Sequence, residues 1–283
     1  MALPSYAGPG EIVWYYSYRV VCGLIFVFLI MPILVVIPLS FNAVPFFTFT
    51  PEMLSFDPAG YSLRWYKDFW NNPQWIHSLQ NSFIIAIFST ILSTSLGTLA
   101  ALGLSKPYTP YKAVIMGLLI SPMIVPLIIS ATGMFFFYTS IGLAQTHLGI
   151  ILAHTALGTP FVVITVTATL VGFDQSLIRA AQNLGASPPT VFFKIIMPLI
   201  LPGVISGGLF AFITSFDEVV VVLFLADFDQ RTIPLQMFSG LREQISPTIL
   251  AVATILVLIS IALLTTVELL RRRSERLRGM SPQ

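Results

Sequence analysis

Six stretches of this chain run for twenty residues or more without a charged side chain: 20–41, 81–105, 113–138, 147–172, 195–216 and 248–267. The fifth resumes beyond an acidic pair as 219–226. A helix of about 20 apolar residues crosses the hydrocarbon core of a bilayer, so each stretch is long enough to span. In lipid the backbone must satisfy its own hydrogen bonds, which makes each span a helix. The alternating pattern of a membrane barrel is missing, because the apolar residues run continuously. The expectation is an all-α polytopic membrane protein with one domain over 1–283. Its six transmembrane helices are predicted at about 20–41, 81–105, 113–138, 147–172, 199–226 and 248–268.

Composition supports the class. Charged residues make up 9% of the chain, against about 25% in soluble domains. A net charge of +2 provides no broad surface for nucleic acid. Cys22, the one cysteine, can form neither an internal disulfide nor a thiolate metal cluster. The first apolar run, at 22 residues, exceeds the roughly 7–15 of a signal-peptide core and reads as a retained helix.

Basic residues collect on the cytoplasmic side of short loops. With the N-terminus inside, Arg19, Lys106, Lys112, Arg179, Lys194 and the tail arginines 271, 272, 273, 276 and 278 are cytoplasmic. Only Arg64, Lys67, Arg231 and Arg242 then lie outside. The tail reads as a topology anchor beside lipid headgroups. Inside the spans, Pro32, Pro38, Pro122, Pro126, Pro160 and Pro202 remove backbone donors and mark candidate kinks. Ser206, Gly207 and Gly208 allow close helix approach in the fifth span.

The loop between spans four and five, 173–198, is the most informative segment. Residues 177–184 have the spacing of a short helix with Ile178, Ala181 and Leu184 on one face. Gly185 is placed to end it, with a positive φ, and Pro188-Pro189 separates it from the next helix. An apolar face on so short a loop calls for a partner protein to cover it. The segment Arg179-Ala180-Ala181-Gln182-Asn183-Leu184-Gly185-Ala186, followed by Ile195 and Pro198, resembles the EAA motif of ABC importer permeases. Ala180, Ala181, Gly185, Ile195 and Pro198 match; Arg179 stands where that family usually has glutamate, and Met197 where leucine is common.

The resemblance implies a type I ABC importer permease in a bacterial inner membrane, with both termini cytoplasmic. It also implies partners: a cytoplasmic ATPase dimer docked on this loop, a second permease subunit that is a related chain or an identical copy, and a periplasmic solute-binding protein. ATP and magnesium would belong to the ATPase, with no cofactor on this chain. Residues 63–66, 161–166, 216–221 and 245–248 are similar to the spermidine/putrescine-type branch, which implies a small organic cation as cargo. Met123 stands where related polyamine permeases can carry aspartate, so another amine or an opine-like amino-acid derivative is the alternative cargo.

The candidate pathway residues are Phe216, Asp217, Glu218 and Met123. Charge in the middle of a span costs about 2.5–3.5 kcal/mol, and intramembrane acids are functional candidates by default. On a continuous helix Asp217 would lie roughly 13 Å below the extracytoplasmic end of its span, near mid-membrane, with Glu218 about 100° around from it. The other reading is a structural pair hydrogen-bonded to neighbouring spans. His154 is expected to bond across helices, and the aromatic run 135–138 to pack and anchor Tyr138 at the interface. No phosphate loop, dinucleotide fingerprint, zinc-protease or nucleophile-elbow motif occurs. An ion-coupled secondary transporter is the more distant alternative, and it leaves the EAA-like loop without a purpose.

Overall fold

The computed structural model describes residues 8–106, 108–171, 174, 176–243 and 246–277. Gly172, Phe173 and Gln175, at the junction of the fourth predicted span and the loop, lie outside them, as do Ile245 and Arg278. The described residues form helices: α1 (Pro9–Leu39), α2 (Pro51–Leu54), α3 (Arg64–Asn71), α4 (Pro73–Ser105), α5 (Lys112–Ile124), α6 (Leu127–Ser140) and α7 (His147–Val171). There follow α8 (Ser176–Asn183), α9 (Pro188–Val191), α10 (Met197–Phe216), α11 (Val220–Leu225), α12 (Ile233–Glu243) and α13 (Thr248–Leu277).

By length and apolarity, α1, α4, α7 and the helix running from Pro188 to Phe216 can each cross a membrane, and α5 with α6 passes the same test as a bent pair, a broken span or a re-entrant loop. The apolar part of α13, Thr248–Ala262, is shorter. Two of the six expected spans are therefore discontinuous. The third bends by 103° between α5 and α6. Val125, a β-branched residue before proline, takes an extended conformation there (φ −70°, ψ 134°), the bias that proline imposes on the residue before it. Pro126 also has no N–H to offer the carbonyl of Pro122. By contrast Pro32, Pro38, Pro160 and Pro202 all sit inside intact helices. The fifth span starts early, at Pro188, passes through a π-turn at Phe192–Ile196 just before Pro198, and stops at Phe216. A π-turn widens the helix where the proline ring would meet the carbonyl four residues back.

The chain divides into two compact units, one comprising residues up to Asn72 and from Gly240 onward, the other Pro73–Ser239. In the first, α13 packs on α1 and α3. Asp68 accepts a 2.7 Å hydrogen bond from the Thr248 hydroxyl at the start of α13. The expected loop after α1 is organised by Asn42, whose amide donates to the Phe46 and Thr48 carbonyls (3.0 and 2.7 Å). Trp65 Nε1 in turn donates to the Asn42 carbonyl at 2.7 Å.

In the second unit α4, α7 and α10 form a tight trio. Val162 of α7 is fully buried and inserts between glycines on both neighbours, Gly97 of α4 and Gly207 of α10. A Cβ at Gly207 would lie 2.7 Å from Val162 Cα, so only glycine allows this approach. One apolar cluster holds Val162, Val166, Leu170, Ile200 and Ala211. A second joins the other half of α7 (Ile150, Ile151, Ala153, Leu157) to Ala131 of α6 and Val221, Val222 and Leu225 of α11.

Candidate functional site

The two helix breaks open onto one cavity of about 820 Å³. Its wall is formed by residues 122–127 at the α5–α6 break, by Leu157 and Phe161 of α7, by Ile213 and Thr214 of α10, and by residues 217–220 at the α10–α11 break. Phe161 is braced by stacking on Phe210 of α10, with centroids 6.0 Å apart. Irregular backbone at membrane depth is tolerated where it lines a cavity or is buried in protein, and transporters place binding sites at such discontinuous helices.

The acidic pair is split by the break. Asp217 caps the C-terminus of α10 (φ −93°, ψ 0°), and its side chain is exposed on the cavity wall. Among the described residues nothing donates to its carboxylate or pairs with it. Glu218 is buried and folds forward onto the start of α11. Oε1 accepts from the N–H groups of Val220 (2.7 Å) and Val221 (2.9 Å), and Oε2 from that of Val222 (3.1 Å). Those are first-turn donors with no intrahelical partner, and a negative charge there is favoured by the helix dipole.

Behind Glu218 lies a buried polar chain. His154 Nε2 is 3.7 Å from Glu218 Oε2, too far for a hydrogen bond. His154 Nδ1 is 2.8 Å from Ser215 Oγ, and Ser89 of α4 donates to Ser215 Oγ at 2.9 Å. The expected cross-helix bond of His154 thus runs to α10.

Of the four candidate pathway residues, Met123, Asp217 and Glu218 line the cavity and Phe216 does not. Phe216 instead stacks on Phe212 (5.6 Å) and tilts against Phe83 of α4 (5.3 Å). The continuous helix on which the two acids would diverge by about 100° is replaced by a break at which each acid has a different task.

The loop helix forms as α8. It ends in a Schellman arrangement, with Ala186 N–H donating to the Ala181 carbonyl (3.0 Å) and Gly185 N–H to that of Gln182 (2.9 Å). Gly185 has φ +80°, the conformation that spares glycine a steric cost. The face expected from Ile178, Ala181 and Leu184 is divided. Ala181 is buried and Ile178 half-buried, whereas Leu184, past the helix end, is 89% exposed. Arg179, Ala180 and Gly185 are exposed and Ala186 half-buried. Asp174 accepts from the Ser176 hydroxyl (2.7 Å) and N–H (2.8 Å). These bonds, helped by the Arg179 charge, hold its carboxyl below the usual range.

A third polar group escaped the sequence reading. Asn81 of α4 donates to the carbonyls of Asp229 (2.8 Å) and Arg231 (3.0 Å), and its Oδ1 is 3.0 Å from His147 Nε2. His77 Nε2 lies 2.8 Å from the same Asp229 carbonyl. This cluster clamps the segment after α11 onto α4 and α7. Its members are far apart in sequence, and no spacing rule would have joined them.

Comparison with known proteins agrees with this architecture. The family model for binding-protein-dependent transport system inner membrane components matches residues 93–277. The spermidine/putrescine transport system permease protein PotC of Haemophilus influenzae is 32% identical over 250 residues, covering 88% of this chain and 94% of the relative. The putrescine transport system permease protein PotI of Escherichia coli is 30% identical, covering 82% of each. Among solved structures, a bacterial ABC transporter involved in import of the acidic polysaccharide alginate superposes with a TM-score of 0.72 at 16% identity, over 94% of this chain and 99% of that one. A methionine ABC transporter in an inward-facing conformation gives 0.55 at 17% identity, over 73% of this chain and 96% of that one. The chain belongs to the family of binding-protein-dependent transport system inner membrane components, the permease subunits of ABC importers.

Proposed function

We propose that this permease moves a small organic cation, a polyamine of the spermidine or putrescine kind, through the cavity between the two helix breaks. The observation that carries the reading is Asp217, a carboxylate without a partner among the described residues, on a largely apolar wall. Such a group can neutralise an ammonium while the wall receives its methylenes. The names of the PotC and PotI relatives support the same cargo class. Met123 on that wall, where a second acid could have stood, favours as a second reading a less charged amine or an opine-like derivative.

In this proposal α5 with α6 is one crossing, α10 with α11 another, and α13 the sixth, with both termini cytoplasmic. The exposed Leu184 and the residues 179–186 around Gly185 dock on a cytoplasmic ATPase, which binds ATP and magnesium. A second permease, a related chain, completes the pathway among the membrane lipids, and a periplasmic binding protein delivers the cargo. ATP-driven closure of the ATPase pushes on α8, and the helices rock to change which side is open. The test is uptake into proteoliposomes holding the complete importer. Asp217→Asn keeps the shape and removes the charge, and a charged hydrogen bond is worth about 1.5–3 kcal/mol, so uptake falls about tenfold or more. Normal polyamine uptake by that variant, at equal assembly, defeats the reading.

A further inference from the structure

We propose that Glu218 is a positioning residue and not a ligand of the cargo: it holds the α10–α11 break open, so that, among the described residues, Asp217 is the single carboxylate in this cavity that a cation can reach. The inference rests on the reading of the cavity as the cation pathway. A carboxylate has about four acceptor positions, and three N–H groups already occupy those of Glu218. Its remaining side faces the buried ring of His154. Although the residue contributes to the cavity wall, its side chain is only 3% exposed, so a cargo ammonium would have to displace the N–H groups at the start of α11 to reach the carboxylate.

The same bonds explain why the helix stops. In a continuous helix the N–H groups of Val220, Val221 and Val222 would bond to the carbonyls of Phe216, Asp217 and Glu218. The Glu218 carboxylate takes all three donors instead, and charge-assisted bonds of this kind are stronger than amide–carbonyl ones. The helix cannot propagate past Phe216, and Asp217 is left as the C-cap of α10. Ser215, immediately before this pair, is held by Ser89 of α4 and His154 of α7, so three helices fix the position of the break. The consequence for cargo is specific. Among the described residues the cavity offers one free carboxylate beside Met123, Val125, Leu157 and Phe161, and it therefore receives one ammonium at a time with its aliphatic chain on the apolar wall.

The two acids then answer differently to the same exchanges, and the complete importer in proteoliposomes reads the difference as uptake rate and as cargo moved per ATP. At 217 the charge matters: Asp217→Asn lowers uptake about tenfold or more, and Asp217→Glu restores most of it. At 218 the acceptor matters. Glu218→Gln keeps an acceptor oxygen, and neutral caps serve nearly as well as charged ones, so uptake falls by no more than about threefold. Glu218→Leu removes the acceptor, and loss of a cap lowers uptake about tenfold. Because Glu218 acts through Asp217, Glu218→Leu adds less than about twofold when made in the Asp217→Asn background; a merely structural role would add its full effect. If Glu218→Leu does not assemble, the contrast between Glu218→Gln and Asp217→Asn still decides. Equal loss in those two variants overturns the division of roles and leaves the cation pathway standing. Normal uptake with Asp217→Asn overturns both.

Discussion

Replacing Gly207 by alanine tests the packing that holds the α4–α7–α10 trio together. The added Cβ would lie 2.7 Å from Val162 Cα and 3.3 Å from Val162 Cβ, and it would also meet Thr165 Oγ1. Carbon atoms pack best at about 3.5–4.0 Å, so α7 and α10 must separate by roughly 1 Å. The nearest carbon belongs to the backbone, and no rotamer change relieves it. Val162 is also wedged against Gly97 on its other side, which blocks retreat toward α4. Overpacking of this kind costs about 1–3 kcal/mol, while alanine recovers about 1 kcal/mol of helix propensity. With a backbone clash the upper end applies, and the net loss is about 2 kcal/mol. Gly117 on α5 is the control: a Cβ there meets nothing within 4 Å, so Gly117→Ala gains about 1 kcal/mol. For a chain of this size, each kcal/mol moves Tm by roughly 2–4 °C. Gly207→Ala should therefore melt about 4–8 °C below the parent and Gly117→Ala about 2–4 °C above it, followed by tryptophan fluorescence in detergent. Equal or higher stability of Gly207→Ala would refute the close-approach argument.

Two further outcomes follow from the cytoplasmic loop. Gly185→Ala places a Cβ on a left-handed residue at a cost of roughly 1 kcal/mol, and Gly185→Glu adds bulk on the exposed side of α8. Solute-stimulated ATPase activity and uptake should fall in the order Asn, Ala, Glu at this position, and an unchanged series removes Gly185 from the coupling surface. On a Cys22→Ser background, a cysteine replacing Ser187 should react with a membrane-impermeant maleimide only after cells are opened, and labelling of intact cells reverses the topology.

Much of this architecture could be read from charge and polarity. The run 147–172 anticipates α7 (His147–Val171) almost to the residue, because the polar residues Gln145 and Thr146 precede it and the charged Asp174 follows it. Gly185 was readable for a similar reason: few residues tolerate the conformation that closes a helix, and its φ is +80°. The breaks were not readable. The run 113–138 is uncharged throughout, and prolines in α1, α7 and α10 leave those helices whole. Proline is thus an insufficient signal here, and the break at 217–219 has none. The fate of Glu218 was hidden for another reason. Glutamate is not among the favoured N-cap residues, and it acts from one position before the cap, Val219, by folding a long side chain forward onto three N–H groups.

The position of the acids follows from how the apolar clusters are divided. Val162, Val166, Ile200 and Ala211 belong to one cluster, and Leu157, Val221, Val222 and Leu225 to the other. Among the helices of these clusters α7 runs unbroken through both, whereas the chain of α10 and α11 is interrupted between them at 217–219. Where an element stops and restarts between two cores, its terminal N–H and C=O groups lose their helical partners. Lipid cannot supply replacements. Side chains must do so at that depth, and Glu218 satisfies the restarting end while His154 and Ser215 lie behind it. The carboxylate of Asp217 is not consumed in that task. An acid that satisfies no protein donor among the described residues is an unfavourable feature for folding alone, and the proposed cation pathway supplies the partner it lacks.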